Sequence, residues 1–324
     1  MSDGRLLYLS EAEVRRVGLP LGELMETLAA VFRDRAAGLA QMPPKLGVQP
    51  SPGSFLDAMP ALWPAGPAAG VKWVGSFPGN RTRGQPSITA LLVLSDPADG
   101  RPLAVMDGRW LTVRRTAACS ALSARVLARS DARTLGILGA GLQARAHVEA
   151  FRLVLPLARV RAFDRHPDRA EAFAEELRRV HHLEASAHTE VREVVEGMDV
   201  VLTAGAVAEL AAPPIAPGWL GAGAFACSID YVSPWSASAL AEVDLPCTDD
   251  RAQLERLRSS GPLRRLPAVH ADLGELLTGR RAGRRSAAER TLACNLGVAL
   301  ADVTAAALIY RRALDRQLGT WLPL

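Results

Sequence analysis

Three groups of residues in this chain have types and spacings that could do chemistry. The first is Gly139-Ala140-Gly141-Leu142-Gln143-Ala144, a GxGxxA pattern between an apolar run at 134–139 and a helical run that opens at Leu142. In such a turn the first glycine permits the bend. The second lacks the Cβ that would block a pyrophosphate, and the small third residue lets helix and strand approach. The helix N-terminus offers unpaired N–H groups to the phosphates. The pattern predicts a dinucleotide site, with Gly139, Gly141, Leu142 and Gln143 on the cofactor. Asp164 ends the next strand-like run, 25 residues after Gly139. An acid there accepts ribose hydroxyls and repels a 2′-phosphate, which favours NAD; its other reading is a turn acid. Arg165 and Arg169 could pair with that phosphate, so NADP stays open. Thr203-Ala204-Gly205 closes a later strand with small residues, either to let a cofactor lie close or simply to turn.

The second group is marked by residue type. Only two lysines, Lys45 and Lys72, stand among 38 Lys and Arg residues. Either they survive by chance in an arginine-biased composition, or an ammonium is wanted there, because it can give up a proton and a guanidinium cannot. Lys72 lies in an otherwise apolar run at 70–76, so it points to solvent or is buried with a task. Arg114 and Arg115 open an Ala-rich helix expected over 112–129, where a cation opposes the helix dipole. An anionic ligand would relieve that conflict; the alternative is an ordinary exposed arginine. The third group is Asp230, which ends the apolar run 224–229 at the same sheet edge as Gly139. Open α/β sheets place ligands at that edge, although a lone acid there also reads as a cap. Several cations for a carboxylate and one acid near a nicotinamide suit an α-amino or α-imino acid. His147, His166, His181, His182, His188 and His270 form no metal-ligand spacing, and three of them (181, 182 and 188) read as solvated linker residues. No GxSxG nucleophile motif occurs.

The elements that must hold these residues fall into two textures. From 134 onward strands and helices alternate: strands at 134–139, 158–163, 183–187, 199–204, 224–229 and 243–248, with helices at 142–155, 167–180 and 190–196. That alternation predicts a parallel sheet with right-handed crossovers. The part before about residue 117 is mixed. It has a helix over 20–38, strands at 70–76 and 87–94, and a hairpin in which Asp99-Gly100 joins 89–95 to 102–107. A long amphipathic helix at 296–318 is expected to pack back on this first part, the sheet being complete without it. The fold class is thus α/β, a Rossmann-type parallel sheet domain plus an α+β substrate and dimerisation domain. The expected boundaries are 1–117, 118–300 and 301–324.

Composition narrows the rest. At 324 residues and 49% apolar the chain is long enough for about two globular domains, and neither a disordered chain nor a disulfide scaffold. No apolar stretch is long enough to span a bilayer, and the N-terminus lacks an apolar signal core, so a cytoplasmic protein without membrane partner is expected. Cys119, Cys227, Cys247 and Cys294 read as buried thiols in a reducing compartment. The formal charge of +4 is scattered. Its one dense basic stretch, the arginines at 264, 265, 280, 281, 284 and 285, reads as a solvated loop, and no nucleic-acid partner is expected.

Six stretches together resemble the ornithine cyclodeaminase/μ-crystallin family, which includes archaeal-type alanine dehydrogenases and ketimine reductases. They are QMPPK at 41–45, GVKWVGSFPGN at 70–80, QPSITALLVLSD at 85–96, PLAVMDGRWLTVRRTAA at 102–118, LGILGAGLQA at 135–144 and NLGVALADV at 295–303. The resemblance implies a homodimer using NAD or NADP. It assigns substrate-carboxylate binding to Lys45, Lys72 and Arg115, and the catalytic acid to Asp230. It implies a reductase or dehydrogenase of a small α-imino or α-amino acid, with hydride passing between nicotinamide C4 and the α-carbon. The alternatives are an ornithine cyclodeaminase and a non-catalytic binder of NAD(P)H. Lys45 matches the alanine dehydrogenase pattern, whereas the acid Asp57 matches the cyclodeaminases. After Asp230 the sequence departs from the better-known members, and Trp235 is expected to line a different substrate pocket.

Overall fold

The computed structural model describes residues 4–259 and 261–324, the Arg81 side chain excepted. The chain forms two compact units, Met1–Thr116 with Val298–Leu324, and Ala117–Gly297.

The first unit is built on a seven-stranded mixed sheet. Its strands are β1 (Arg5–Leu9), β2 (Leu46–Val48), β3 (Phe55–Trp63), β4 (Ala68–Ser76), β5 (Ile88–Ser95), β6 (Pro102–Asp107) and β15 (Thr320–Pro323), in the order β15-β1-β6-β5-β4-β3-β2. The Asp99-Gly100 hairpin forms as expected, with β5 antiparallel to β6. Side chains alternate across a strand. One face therefore carries Leu7, Leu9, Met59, Ala61, Val74, Leu92, Leu94 and Met106, all buried. Helix α10 (Ala299–Asp315) packs on β3, β4 and β5, and α2 (Leu21–Ala36) packs on α10. The C-terminal helix starts at Ala299, not at 296, and is followed by a strand.

Three strands and one helix of this unit lie outside the expected elements: β1, β2, β15 and α1 (Glu11–Val17), although Ser10 and Glu13 form a capping box that opens α1. In β3 Asp57 and Pro60 interrupt the apolar pattern, so the sequence there does not read as a strand. Proline is tolerated there because β2 pairs β3 only at Leu56–Ala58, so at Pro60 that side of the strand has no ladder from β2 to complete. Helix α3 (Arg109–Leu127) begins three residues before the expected start.

The second unit holds an eight-stranded sheet in the order β13-β12-β14-β11-β10-β7-β8-β9, parallel throughout. The strands are β7 (Thr134–Leu138), β8 (Arg159–Phe163), β9 (Glu184–His188), β10 (Val200–Thr203), β11 (Phe225–Ser228), β12 (Leu245–Thr248), β13 (Ala271–Asp272) and β14 (Thr291–Cys294). The six expected strands are present, but the sheet is not complete without the segment before 296. β14 inserts between β11 and β12. Its four buried residues run straight into the apolar approach to α10, so no periodicity marks them. The order reverses at β7, with β8 on one side and β10 on the other, which places a topological switch point at their carboxyl ends.

Two further expectations change. The arginine stretch is not wholly solvated: Arg284 is half-buried and donates to Leu127 O at 2.8 Å, Ala224 O at 3.2 Å and Thr291 Oγ1 at 3.1 Å. It closes carbonyls left open at the base of the sheet. His181 ends helix α5 (Pro167–His181) and His188 ends β9, so neither lies in a linker. The four cysteines are free and buried, as expected.

Candidate active site

The glycine-rich turn sits at the switch point of the second unit. Gly139 has φ +102°, and a Cβ there would come within 2.8 Å of Ala204 O, so only glycine fits. Gly141 caps α4 (Leu142–Phe151) without any side-chain hydrogen bond, and a Cβ on it would meet nothing within 4 Å. The first N–H groups of α4 are thus uncovered by protein side chains, which suits phosphate. Ala144 is buried against the sheet, Leu142 is exposed, and Gln143 Oε1 is buried without a hydrogen-bond partner. An orphaned acceptor, an uncapped helix start and a Cβ-free approach fit a dinucleotide.

Asp164 is half-buried at the end of β8. Oδ2 accepts from Ala140 N at 2.9 Å and Oδ1 from His166 N at 3.0 Å. It therefore braces the glycine turn as well as its own, and each oxygen keeps a second lone pair for a ribose hydroxyl. Arg165 is exposed beside it.

Asp230 follows β11 and is buried. Its Oδ1 accepts from Thr203 Oγ1 at 2.7 Å and from Ser228 Oγ at 2.8 Å, and Oδ2 accepts from Gly205 N at 3.3 Å. Burial pushes the carboxyl above its ordinary range, and these three donors pull it back. Thr203, expected against the cofactor, thus directs its hydroxyl at Asp230. The next two residues, Tyr231 (φ 58°) and Val232 (φ 54°), adopt left-handed backbone, which is a strained choice for β-branched Val232. Val232 N donates to Ser228 Oγ at 2.8 Å, which ties the strained turn to the group holding Asp230. Trp235 does not line a pocket; it is fully buried in the core with Leu138, Val201, Leu240 and Leu292.

A second polar network in this unit gave no sequence signal. His147 Nε2 lies 2.9 Å from Ser120 Oγ, and Asn295 Nδ2 donates to Ser120 Oγ at 3.2 Å. Burial lowers the His147 pKa to about 4, so its ring is neutral.

The first unit gathers Lys45, Asp57, Lys72 and Arg115. Lys72 pairs in register with Met59 and Leu92, both buried, so it lies on the inward face and is 1% exposed. That decides its two readings in favour of burial. Its Nζ stands 2.8 Å from Asp302 Oδ2, and Arg115 Nε donates to Asp302 Oδ1 at 2.8 Å. Asp302, fully buried on α10, was not among the expected site residues. A charged residue inside the apolar run 296–309 was the signal available. Arg115 lies in the second turn of α3, and Asp302 pairs with it. Burial beside Arg115 drops the Lys72 pKa to about 7, against the pull of Asp302. Asp57 is half-buried on β3, and its Oδ1 occupies the space where a Cβ on Gly47 would be. Burial raises its pKa, while Lys45 and Lys72 lower it. Among the described residues no group of His, Cys, Asp and Glu could hold a metal ion.

A nucleotide-binding parallel sheet, paired with a unit of buried cations, defines a dinucleotide-dependent α/β protein. The sequence matches the profile of the ornithine cyclodeaminase/mu-crystallin family over residues 7–317, and the chain belongs to that family. It is 32% identical to the alanine dehydrogenase of Archaeoglobus fulgidus over 324 residues, covering 97% of each chain. Among solved structures it resembles Thermococcus litoralis Δ1-pyrroline-2-carboxylate reductase in complex with NADH and L-proline, at TM-score 0.88 and 28% identity, covering 97% of this chain and 99% of that one. An archaeal alanine dehydrogenase dimer with bound NAD aligns at TM-score 0.87 and 30% identity, covering 98% of this chain and 99% of that one.

Proposed function

We propose that this chain is an NAD(P)H-dependent reductase or dehydrogenase of a small α-imino or α-amino acid. The observation that carries the reading is Lys72, an ammonium held inside the first unit beside Arg115 with a pKa near neutrality. Such a group can both neutralise a carboxylate and exchange a proton at working pH. Lys45, half-buried, receives the carboxylate with Arg115 and Lys72. A nicotinamide cofactor, when bound, supplies the hydride that reduces the C=N carbon, or accepts it in reverse. Asp230 manages the proton on nitrogen, so that hydride and proton together turn C=N into CH–NH. Gly139, Gly141, Leu142 and Gln143 hold the dinucleotide and Asp164 takes the ribose, which favours NAD; exposed Arg165 leaves a place for a 2′-phosphate.

Asp57 supports a second reading. An acid close to Lys45 and Lys72 could steer the distal amine of ornithine, as a cyclodeaminase requires. One panel separates the readings. NADH and NADPH oxidation is followed with pyruvate, glyoxylate, oxaloacetate and cyclic imines, with and without ammonia or methylamine. Steady cofactor turnover supports the reductase. Ammonia and proline from ornithine with catalytic NAD, and no net NADH, supports the cyclodeaminase. Turnover untouched by Lys72→Ala would remove Lys72 from the chemistry, and NADH binding with no turnover on any of these substrates would return the chain to a binding role.

The partner assigned here is a second copy. The sheet face opposite α10 presents Trp73 and its register neighbour Leu91, 46% and 44% exposed, together with Tyr8. Four free buried thiols suit the cytoplasm, to which we assign the protein.

A further inference from the structure

We propose that Asp302 is the positioning residue of this site: one carboxylate from the C-terminal helix holds the Lys72 ammonium and the Arg115 guanidinium side by side, each on its own oxygen. The inference rests on the reading above and adds a residue to it. Two cations packed together in a dry interior repel each other, and each has lost its hydration. A single anion between them removes both difficulties. Asp302 Oδ2 lies 2.8 Å from Lys72 Nζ, Oδ1 lies 2.8 Å from Arg115 Nε, and all three side chains are at most 6% exposed.

The arrangement decides more than placement. The groups facing Lys72 are Arg115 and Thr112 from α3, Asp302 from α10, Asp57 from β3 and Lys45 ahead of β2; β5 contributes only apolar Leu92 at its register position. Arg115 and Lys45 favour the neutral amine, and Asp302 favours the ammonium. The triad of Lys72, Arg115 and Asp302 carries one net positive charge when Lys72 is protonated, which one substrate carboxylate neutralises. A substrate arriving there strengthens the ammonium form, so binding and proton uptake are coupled. With Asp302 in place Lys72 is a proton donor near neutral pH. Without it the anion that favours the ammonium is gone, and Lys72 loses its proton at lower pH.

The chain's two lysines make the test direct. Protein grown on lysine carrying ¹³C at Cε gives two signals, assigned by Lys45→Arg. Their shifts are followed with pH. In the unchanged protein the Lys72 midpoint is expected near 7. In Asp302→Asn it should fall by ~1 unit or more, a tenfold loss in proton affinity, and Asp302→Glu should restore most of it. The alkaline limb of kcat/KM for reduction should move with the same midpoint, which a merely structural role would not cause. A Lys72 midpoint unmoved in folded Asp302→Asn overturns the proposal. If that variant does not fold, Asp302→Ser removes the same charge in a smaller side chain: the midpoint should again fall by ~1 unit or more, and no fall overturns the proposal. Lysine shifts as expected with no cofactor turnover on any imine would uphold the role of Asp302 and sink the functional reading instead.

Discussion

At the scale of single residues, the second unit is organised around one carboxylate. Thr203 and Ser228 hydroxyls converge on Oδ1 of Asp230, and both lower its pKa against the pull of burial. Hydrogen bonds to a charged group are worth about 1.5–3 kcal/mol. Thr203→Val keeps the shape and removes one of them. The Asp230 pKa then rises further, and the group stays protonated to a higher pH. In the oxidative direction, where Asp230 must be ionised to take a proton, the acid limb of kcat/KM should move to higher pH. Below that limb the rate should fall, and well above it the loss should shrink. An acid limb identical to that of the unchanged enzyme would contradict the assignment of Asp230 as the titrating group. What the sequence alone showed here was the position of Asp230 at a sheet edge. That its partners would be hydroxyls was not legible, because Thr203 and Ser228 read equally well as strand residues. Lys72 was legible by rarity, but its anion was not. Asp302 lies 230 residues away, on a helix whose alanines announce only burial.

At the scale of elements, local chemistry explains which parts could be read ahead. Strands β7, β10 and β11 carry apolar runs bounded by turns, β8 alternates arginines with apolar residues, and the alternation with α4 and α5 forces a parallel sheet. β14 was hidden because strand and following apolar run share one composition, and β3 because a proline and an acid interrupt it. The glycine turn is the element on which both fold and cofactor reading depend. Gly139→Ala meets two costs at once, a left-handed φ of +102° and a Cβ within 2.8 Å of Ala204 O. Backbone strain of this kind costs of order 1–3 kcal/mol. The expected outcome is a lowered Tm together with NADH binding weakened by at least tenfold, read by calorimetry. Gly141→Ala meets no protein atom within 4 Å, so it should leave Tm nearly unchanged while weakening NADH. Equal damage to Tm by both substitutions would mean that Gly141 serves the fold rather than the ligand.

At the scale of the whole molecule, the sheet of the first unit poses a packing question. One face is covered by α10, while the other leaves large side chains in water. Trp73 stands in register between Ala58 and Leu91, and Tyr8 lies on the same sheet at β1. Monomers rarely leave such a contiguous apolar patch open. Covering it with a second copy would bury aromatic anchors of the kind that carry binding energy at interfaces. Trp73→Glu and Leu91→Glu put charges onto that face without touching Lys72, which points the opposite way from its neighbour Trp73. The unchanged protein is expected to sediment at twice the mass of the 34.5 kDa chain, and the double variant as a monomer with an intact circular dichroism spectrum. NADH binding should survive, since the glycine turn belongs to the other unit. A double variant that still sediments as a dimer would place the interface elsewhere, and a monomeric unchanged protein would leave the open face to another partner.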